Sequence, residues 1–211
     1  MRIEIFADFI CPWCGIGIRR FDQTLERFEH RDEVEIVRRA FQLNERAEIG
    51  VTEPSAEMLA RRGYSPEALE TMHSRIEGIA KESGVQPFHV KGNLVGSTAL
   101  AHELAAFAEK EGRGEEAWEA LFQAYFGEQR SIFTVPELRK IGEEIGLDGE
   151  ALSAALHDRL FEEKVKEDIR RARTVGVTGV PFFIVGDRYA VSGAQTPEHL
   201  LEVMERAWSE R

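Results

Sequence analysis

The sequence predicts an α/β fold in which a β-α-β opening and a β-β-α close are separated by a long all-helical block. Three observations carry that prediction. An apolar, partly alternating run over 2–10 hands directly to a helix-periodic stripe, β-type alternation is almost absent from about 54 to 175, and a compact β signal returns at 180–185. At 211 residues, against ~150 for a typical domain, the chain has room for one domain with a large insertion. The boundaries that follow are a discontinuous α/β domain over 1–53 and 176–211 and a helical insertion over 54–175.

Taken in order, Ile3, Ile5, Phe6, Phe9 and Ile10 with acids between them fit a first strand covered on one or both faces. Ile18, Phe21, Leu25 and Phe28 recur at steps of three, four and three, the stripe of a helix over about 14–29. Val34, Ile36 and Val37, with Ala40 and Phe41, form the second strand, parallel to the first because a helix connects them. Within the block, Ser65-Pro66 is an N-cap followed by a first-turn proline, and Thr134 with Glu137 makes a capping box. Apolar stripes run through Leu100, Leu104 and Phe107, through Trp118, Leu121 and Tyr125, and through Leu138, Ile141 and Ile145, while Gly112, Gly146 and Gly176 follow stripes as C-caps. Strands over 180–185 and 188–191 flank a two-residue Gly186-Asp187 hairpin turn. Residues 192–195 form the turn into a last helix, which Thr196 caps with Pro197 behind it.

Hydrophobic residues make up 43% of the chain and charged residues 31%, enough for a core under a solvated surface. The formal net charge of −11 repels phosphate backbones and anionic bilayers, so neither nucleic acid nor a membrane is expected as a partner. No apolar run approaches the ~20 residues of a membrane helix, and no basic start precedes an apolar stretch, so neither a membrane span nor a signal peptide is expected in the chain as it stands.

Cys11 and Cys14 are the only cysteines, too few for the framework of a disulfide-stapled domain or for a zinc site. Reversible disulfide chemistry needs one thiol that ionises readily and a second close enough to resolve a mixed disulfide. Cys11-Pro12-Trp13-Cys14 at a helix start supplies both. Cys11 meets the free N–H groups and the positive end of the dipole and is the candidate nucleophile, accessible to its substrate. Cys14, one turn further in, is more buried and is the resolving thiol. Pro12 lacks an N–H that would be unpaired there anyway, and Trp13 offers an apolar shelf beside the sulfur. No cation lies between the cysteines, so the expected acidification of Cys11 is moderate and its oxidising power mild.

The order of elements, with Cys-Pro-Trp-Cys after the first strand and Thr178-Gly179-Val180-Pro181 before the third, resembles the thioredoxin superfamily. More narrowly, the chain resembles the DsbA-like branch, a thioredoxin fold with an inserted all-helical domain, and within it the cytoplasmic FrnE-like proteins, which makes the cytoplasm the compartment the resemblance implies. The residues that carry this are 8–14, Ile16-Gly17, 97–102, 176–183 and 191–195. The resemblance implies a thiol–disulfide oxidoreductase or isomerase acting on protein or peptide thiols and disulfides. It needs no cofactor beyond its own Cys11–Cys14 pair, with glutathione as a candidate co-substrate and no metal. It implies a cis Val180–Pro181 bond against the cysteine pair and Val180 backbone groups that pair with a bound polypeptide. His102, in the Ala101-His102 element, becomes a candidate to line the cleft between domains, against the alternative of a structural histidine.

Departures from the pattern are informative. Gly15 stands where relatives carry an aromatic residue, and the second cysteine pair of some FrnE-like proteins is missing, which excludes an internal disulfide relay. Ile5 occupies the position of the buried acid that thioredoxin-like proteins often keep six residues before the first cysteine as a proton relay; Asp8 or Glu4 is the alternative for that role, against the preferred reading of both as solvated strand-end acids. His73, His89, His157 and His199 default to the surface, as do Arg38-Arg39, Arg61-Arg62, Arg170-Arg171 and Arg173. Two other functions share this architecture: glutathione-dependent isomerases and kappa-type transferases, which use a serine near the position of Cys11, and a non-catalytic module that docks a partner on the Val180 edge.

Overall fold

The computed structural model describes residues 1–211. The chain runs β1 (Arg2–Ala7), α1 (Pro12–Arg27), a 3-10 turn (Arg31–Glu33) and β2 (Glu35–Ala40). There follow β3 (Thr52–Pro54), α2 (Ser55–Arg61), α3 (Pro66–Glu82), β4 (Leu94–Gly96), α4 (Ala99–Lys110) and α5 (Gly114–Phe122), which continues into a π turn over Gln123–Gly127. The remainder is α6 (Val135–Glu144), α7 (Gly149–His157), α8 (Glu162–Thr174), β5 (Phe182–Val185), β6 (Tyr189–Ser192) and α9 (Pro197–Ser209).

A four-stranded sheet in the order β2-β1-β5-β6 centres the α/β part, with β1 and β2 parallel and the other pairs antiparallel. Because side chains alternate across a strand, β1 serves two layers. Ile3, Ile5 and Ala7 enter the main core with Phe21 of α1 and Met204 of α9, while Phe6 packs with Ala172 and Val177 on the α8 side. Glu4 shares that second face. The main core of 39 buried residues is continuous from Ile3 and Phe183 of the sheet to Leu121, Ile141 and Leu152 of the helical block. Phe9, between β1 and α1, packs at a tilt against Trp118, with ring centroids 4.4 Å apart, and against Phe122 at 5.2 Å, and so joins the two parts.

Several local expectations need correction. The first helix begins at Pro12, because Cys11 itself is the N-cap. The chain between 54 and 175 is not purely helical: β4 pairs antiparallel with β3 in a small separate sheet. Arg188 N–H closes a turn to Val185 O at 3.2 Å through Gly186 and Asp187, at φ +60° and +57°. Val185 nevertheless pairs with Tyr189, so the hairpin connection carries three residues and not two. Thr134 Oγ1 bonds the Glu137 carboxylate directly, at 2.9 Å, and caps no backbone N–H. Ser65 and Thr196 do cap, accepting from Ala68 N and His199 N.

Glu4 is fully buried and not solvated. Arg39 and Arg171 both donate to it, and Arg39 also donates to Asp168 at 2.8 Å. Those two arginines are therefore committed between β1, β2 and α8, since burying an acid under a helix requires a cation from its neighbours. His73 is buried as well, because it shares one face of α3 with Leu69, Ile76 and Ala80. No helix is long and apolar enough to cross a membrane.

Candidate active site

The strand-to-helix handover decides the position of Cys11. β1 ends at Ala7, Asp8 O accepts the Cys11 N–H at 3.1 Å, and Cys11 O accepts the Cys14 N–H at 3.0 Å, so α1 starts with Pro12 at its first position and no acid in its first turn. Cys11 therefore sits at the positive end of the α1 dipole with no competing carboxylate on that turn, and its side chain caps no helix N–H. Cys14 lies one turn on, fully buried beneath it, and Asp8 N donates to its Sγ at 3.5 Å. Burial pushes the Cys14 thiol well above its usual range, and neighbouring Cys11 and the Asp8 carboxylate push the same way, against a smaller pull from the Asp8 amide. Cys11 is more enclosed than the sequence suggests, at 5% exposure, because the Val180 loop covers it.

That loop is held from both sides. The Val180–Pro181 bond is cis, and the Cys11 thiol donates to Val180 O at 3.5 Å. Pro181 O accepts from Gly193 N at 2.8 Å, and Arg20 of α1 donates to Ala194 O at 2.6 Å. Gly17 lets the loop close on α1: a Cβ there would sit 2.7 Å from Pro181 Cγ. Cys11, Cys14, Pro12, Val180 and Pro181 are thus one cluster. Trp13 lies beside it, lining a groove of about 640 Å³ with Met72 and Ile76 of α3. On the other side Ile10 opens onto a groove of about 690 Å³ with Leu43, Val51 and Met58.

Asp8 and His102 do not stand where the sequence reading puts them. Asp8 is fully buried, its Oδ2 accepting Leu43 N–H at 2.7 Å and its Oδ1 without a hydrogen-bond donor. His102 is also sealed from solvent, so it lines no open cleft. Its Nε2 lies 3.0 Å from Phe41 O and 3.5 Å from Asp8 Oδ1, its Nδ1 has no partner, and its ring packs on Phe9. Because Nε2 faces two oxygens, it carries a hydrogen. The available signal was that Asp8 lies between Ala7 and Phe9, both apolar, at the end of a strand whose two faces are covered. No group of three or more metal-ligating side chains converges anywhere in the structure.

A parallel β1–β2 pair crossed by α1, an antiparallel β5–β6 hairpin and a cysteine pair at the α1 start define a thioredoxin-type fold with a helical insertion. The chain belongs to the family described as the DSBA-like thioredoxin domain, whose model matches residues 2–205. It is similar to a probable DsbA oxidoreductase of Streptomyces coelicolor, at 36% identity and a TM-score of 0.96 over 100% of this chain and 91% of that one. YwbO of Bacillus subtilis strain 168, an uncharacterized protein, is 27% identical over 188 residues, 89% of this chain and 88% of its own. The cytosolic disulfide reductase DsbM of Pseudomonas aeruginosa, solved with glutathione, shares the fold with a TM-score of 0.65 at 18% identity, over 99% and 100% of the two chains.

Proposed function

We propose that the chain is a thiol–disulfide oxidoreductase of the FrnE-like kind, working in the cytoplasm on protein or small-molecule disulfides. The observation that carries this reading is the placement of two unpaired cysteines in two different environments: Cys11 at the helix tip against Val180, and Cys14 sealed below it with its thiol held protonated by burial. The Cys11 thiolate attacks a substrate disulfide, forming a Cys11–substrate disulfide and releasing the first substrate sulfur as a thiolate that takes a proton from water. Cys14 then loses its proton and attacks the Cys11 sulfur. The second substrate sulfur leaves, the Cys11–Cys14 disulfide forms, and two electrons have passed to the substrate. The reverse sequence oxidises a dithiol. Asp8 is the group we assign to take the Cys14 proton, since its amide already holds that sulfur and its Oδ1 has no donor. Glutathione, present in the DsbM structure, is the small thiol proposed to return the pair to its reduced form.

The test is reduction of insulin or a model disulfide, with Cys11→Ser expected to abolish it and Cys14→Ser expected to accumulate mixed disulfides with cellular thiols. Glutathione conjugation to a chromogenic electrophile that survives replacement of both cysteines would sink the reading in favour of a glutathione transferase or isomerase. Alkylation of Cys11 no faster than of a free thiol, with no exchange of its disulfide, would leave only a docking module.

A further inference from the structure

A cavity of about 460 Å³ lies between α1, the 84–88 segment and α5, and none of Cys11, Cys14, Val180 or Pro181 lines it. It reaches α1 at Gly15, where a side chain would meet Phe88 at 3.3 Å and Phe122 at 3.6 Å, so glycine leaves open a space bounded by these rings and by Trp118. The volume is that of a small-molecule site, with an aromatic wall of Phe88, Trp118 and Phe122 set against polar and charged side chains from α1, β2, α5 and the 84–88 segment.

The polar groups are mismatched in a way that describes their partner. Arg19 and Asp22 stand on one stripe of α1, Arg38 reaches in from β2, and Glu115 and Glu119 come from α5. Arg38 Nη2 bonds Glu115 at 3.1 Å, whereas its Nη1 is buried with no hydrogen-bond acceptor. Neither Arg19 nor Asp22 takes part in any side-chain hydrogen bond or ion pair of the structure. Burial pushes the Asp22 carboxyl up to about 6, with Glu115 and Glu119 acting in the same direction and Arg38 and Arg19 against it. Three carboxylates and two guanidiniums therefore share one half-enclosed space in which only Arg38 and Glu115 pair; Asp22 and Arg19 are left without partners, a cost that a ligand carrying both a donor cation and an acceptor anion would relieve.

We infer that this cavity binds a small zwitterion, an α-amino acid with a large apolar side chain. Its ammonium pairs with Asp22, its carboxylate bridges Arg19 and Arg38, and its side chain lies on Phe88, Trp118 and Phe122. The site is distinct from the cysteine pair and stands whether or not the proposed exchange reaction does.

Isothermal titration of the full chain with L-phenylalanine, 3-phenylpropionate and phenethylamine tests this. L-Phenylalanine is expected to bind about ten-fold or more tightly than either probe lacking one charge, the usual effect of losing a charged hydrogen-bond partner. Asp22→Asn and Arg38→Gln are each expected to weaken it by a similar factor, and Asp22→Asn to leave insulin reduction unchanged. Affinity is expected to fall on acidification through about pH 6, as Asp22 takes up a proton, while Arg19 and Arg38 stay charged. Equal binding of the three probes, or no heat and no thermal shift with millimolar L-phenylalanine, overturns the inference. The comparison of probes on the unaltered chain decides even if a variant fails to fold.

Discussion

Gly17 and Asp8 show how single residues set the chemistry of the site. Gly17 is required by close approach and not by backbone freedom, since any Cβ would collide with Pro181. Gly17→Ala is expected to cost roughly 1–3 kcal/mol, the usual penalty for overpacking, seen as a lower urea midpoint. Disulfide reduction should slow with it, because Pro181 is displaced from Cys11. Asp8 acts on Cys14 in two opposed ways, and one substitution separates them. Asp8→Asn keeps the backbone N–H on Cys14 and an oxygen for Leu43 N but removes the negative charge. In a Cys11→Ser background, thiolate absorbance of Cys14 should therefore appear at lower pH, because a like charge beside it has gone. With both cysteines present, release of a mixed disulfide should slow by about a hundred-fold, the lower end of what a positioned base contributes. A purely structural Asp8 would not move the two measurements in opposite directions.

Among the elements, β1 carries the most, because its odd residues join the α1 core and its even residues face α8. Glu4 fixes that arrangement by holding Arg39 of β2 and Arg171 of α8 together. Burial alone would raise the Glu4 carboxyl, but the two guanidiniums outweigh it and hold it below its ordinary value. A carboxyl depressed in the folded chain contributes stability that is fully present above its unfolded pKa of ~4.3 and is lost as pH falls through the folded value. Glu4→Gln is accordingly expected to lower stability at neutral pH by roughly 2 kcal/mol, short of the ~3–5 kcal/mol of a wholly buried pair because Arg171 is partly solvated. That difference should shrink towards zero in urea titrations at strongly acid pH. A deficit independent of pH would show that the side chain matters for packing and not for charge.

Across the whole molecule the continuous core, and Phe9 wedged against Trp118 and Phe122, make the sheet and the helical block one mechanical unit. Urea unfolding is expected to show one transition, coincident by tryptophan fluorescence and far-ultraviolet circular dichroism; two separate transitions would show that the insertion stands alone. The order of elements, the helix caps at Ser65 and Thr196 and the position of Cys11 and Cys14 were legible in the chain, because each depends on periodicity or on contacts a few residues long. The β3–β4 pair was not, since three-residue strands too short to alternate pair across some forty residues of intervening chain. Glu4, Asp8, His73 and Arg39 were misread for a related reason: polar residues look solvated until the elements that cover them are known. The sequence by itself determined the α/β order, the cysteine pair and its seat at a helix start. Only the tertiary structure decided what stands around those sulfurs: the Val180 loop over Cys11, Asp8 beside Cys14, and a cavity whose charges come from α1, β2 and α5. Burial and pairing between distant segments are properties of packing, and no local pattern encodes them.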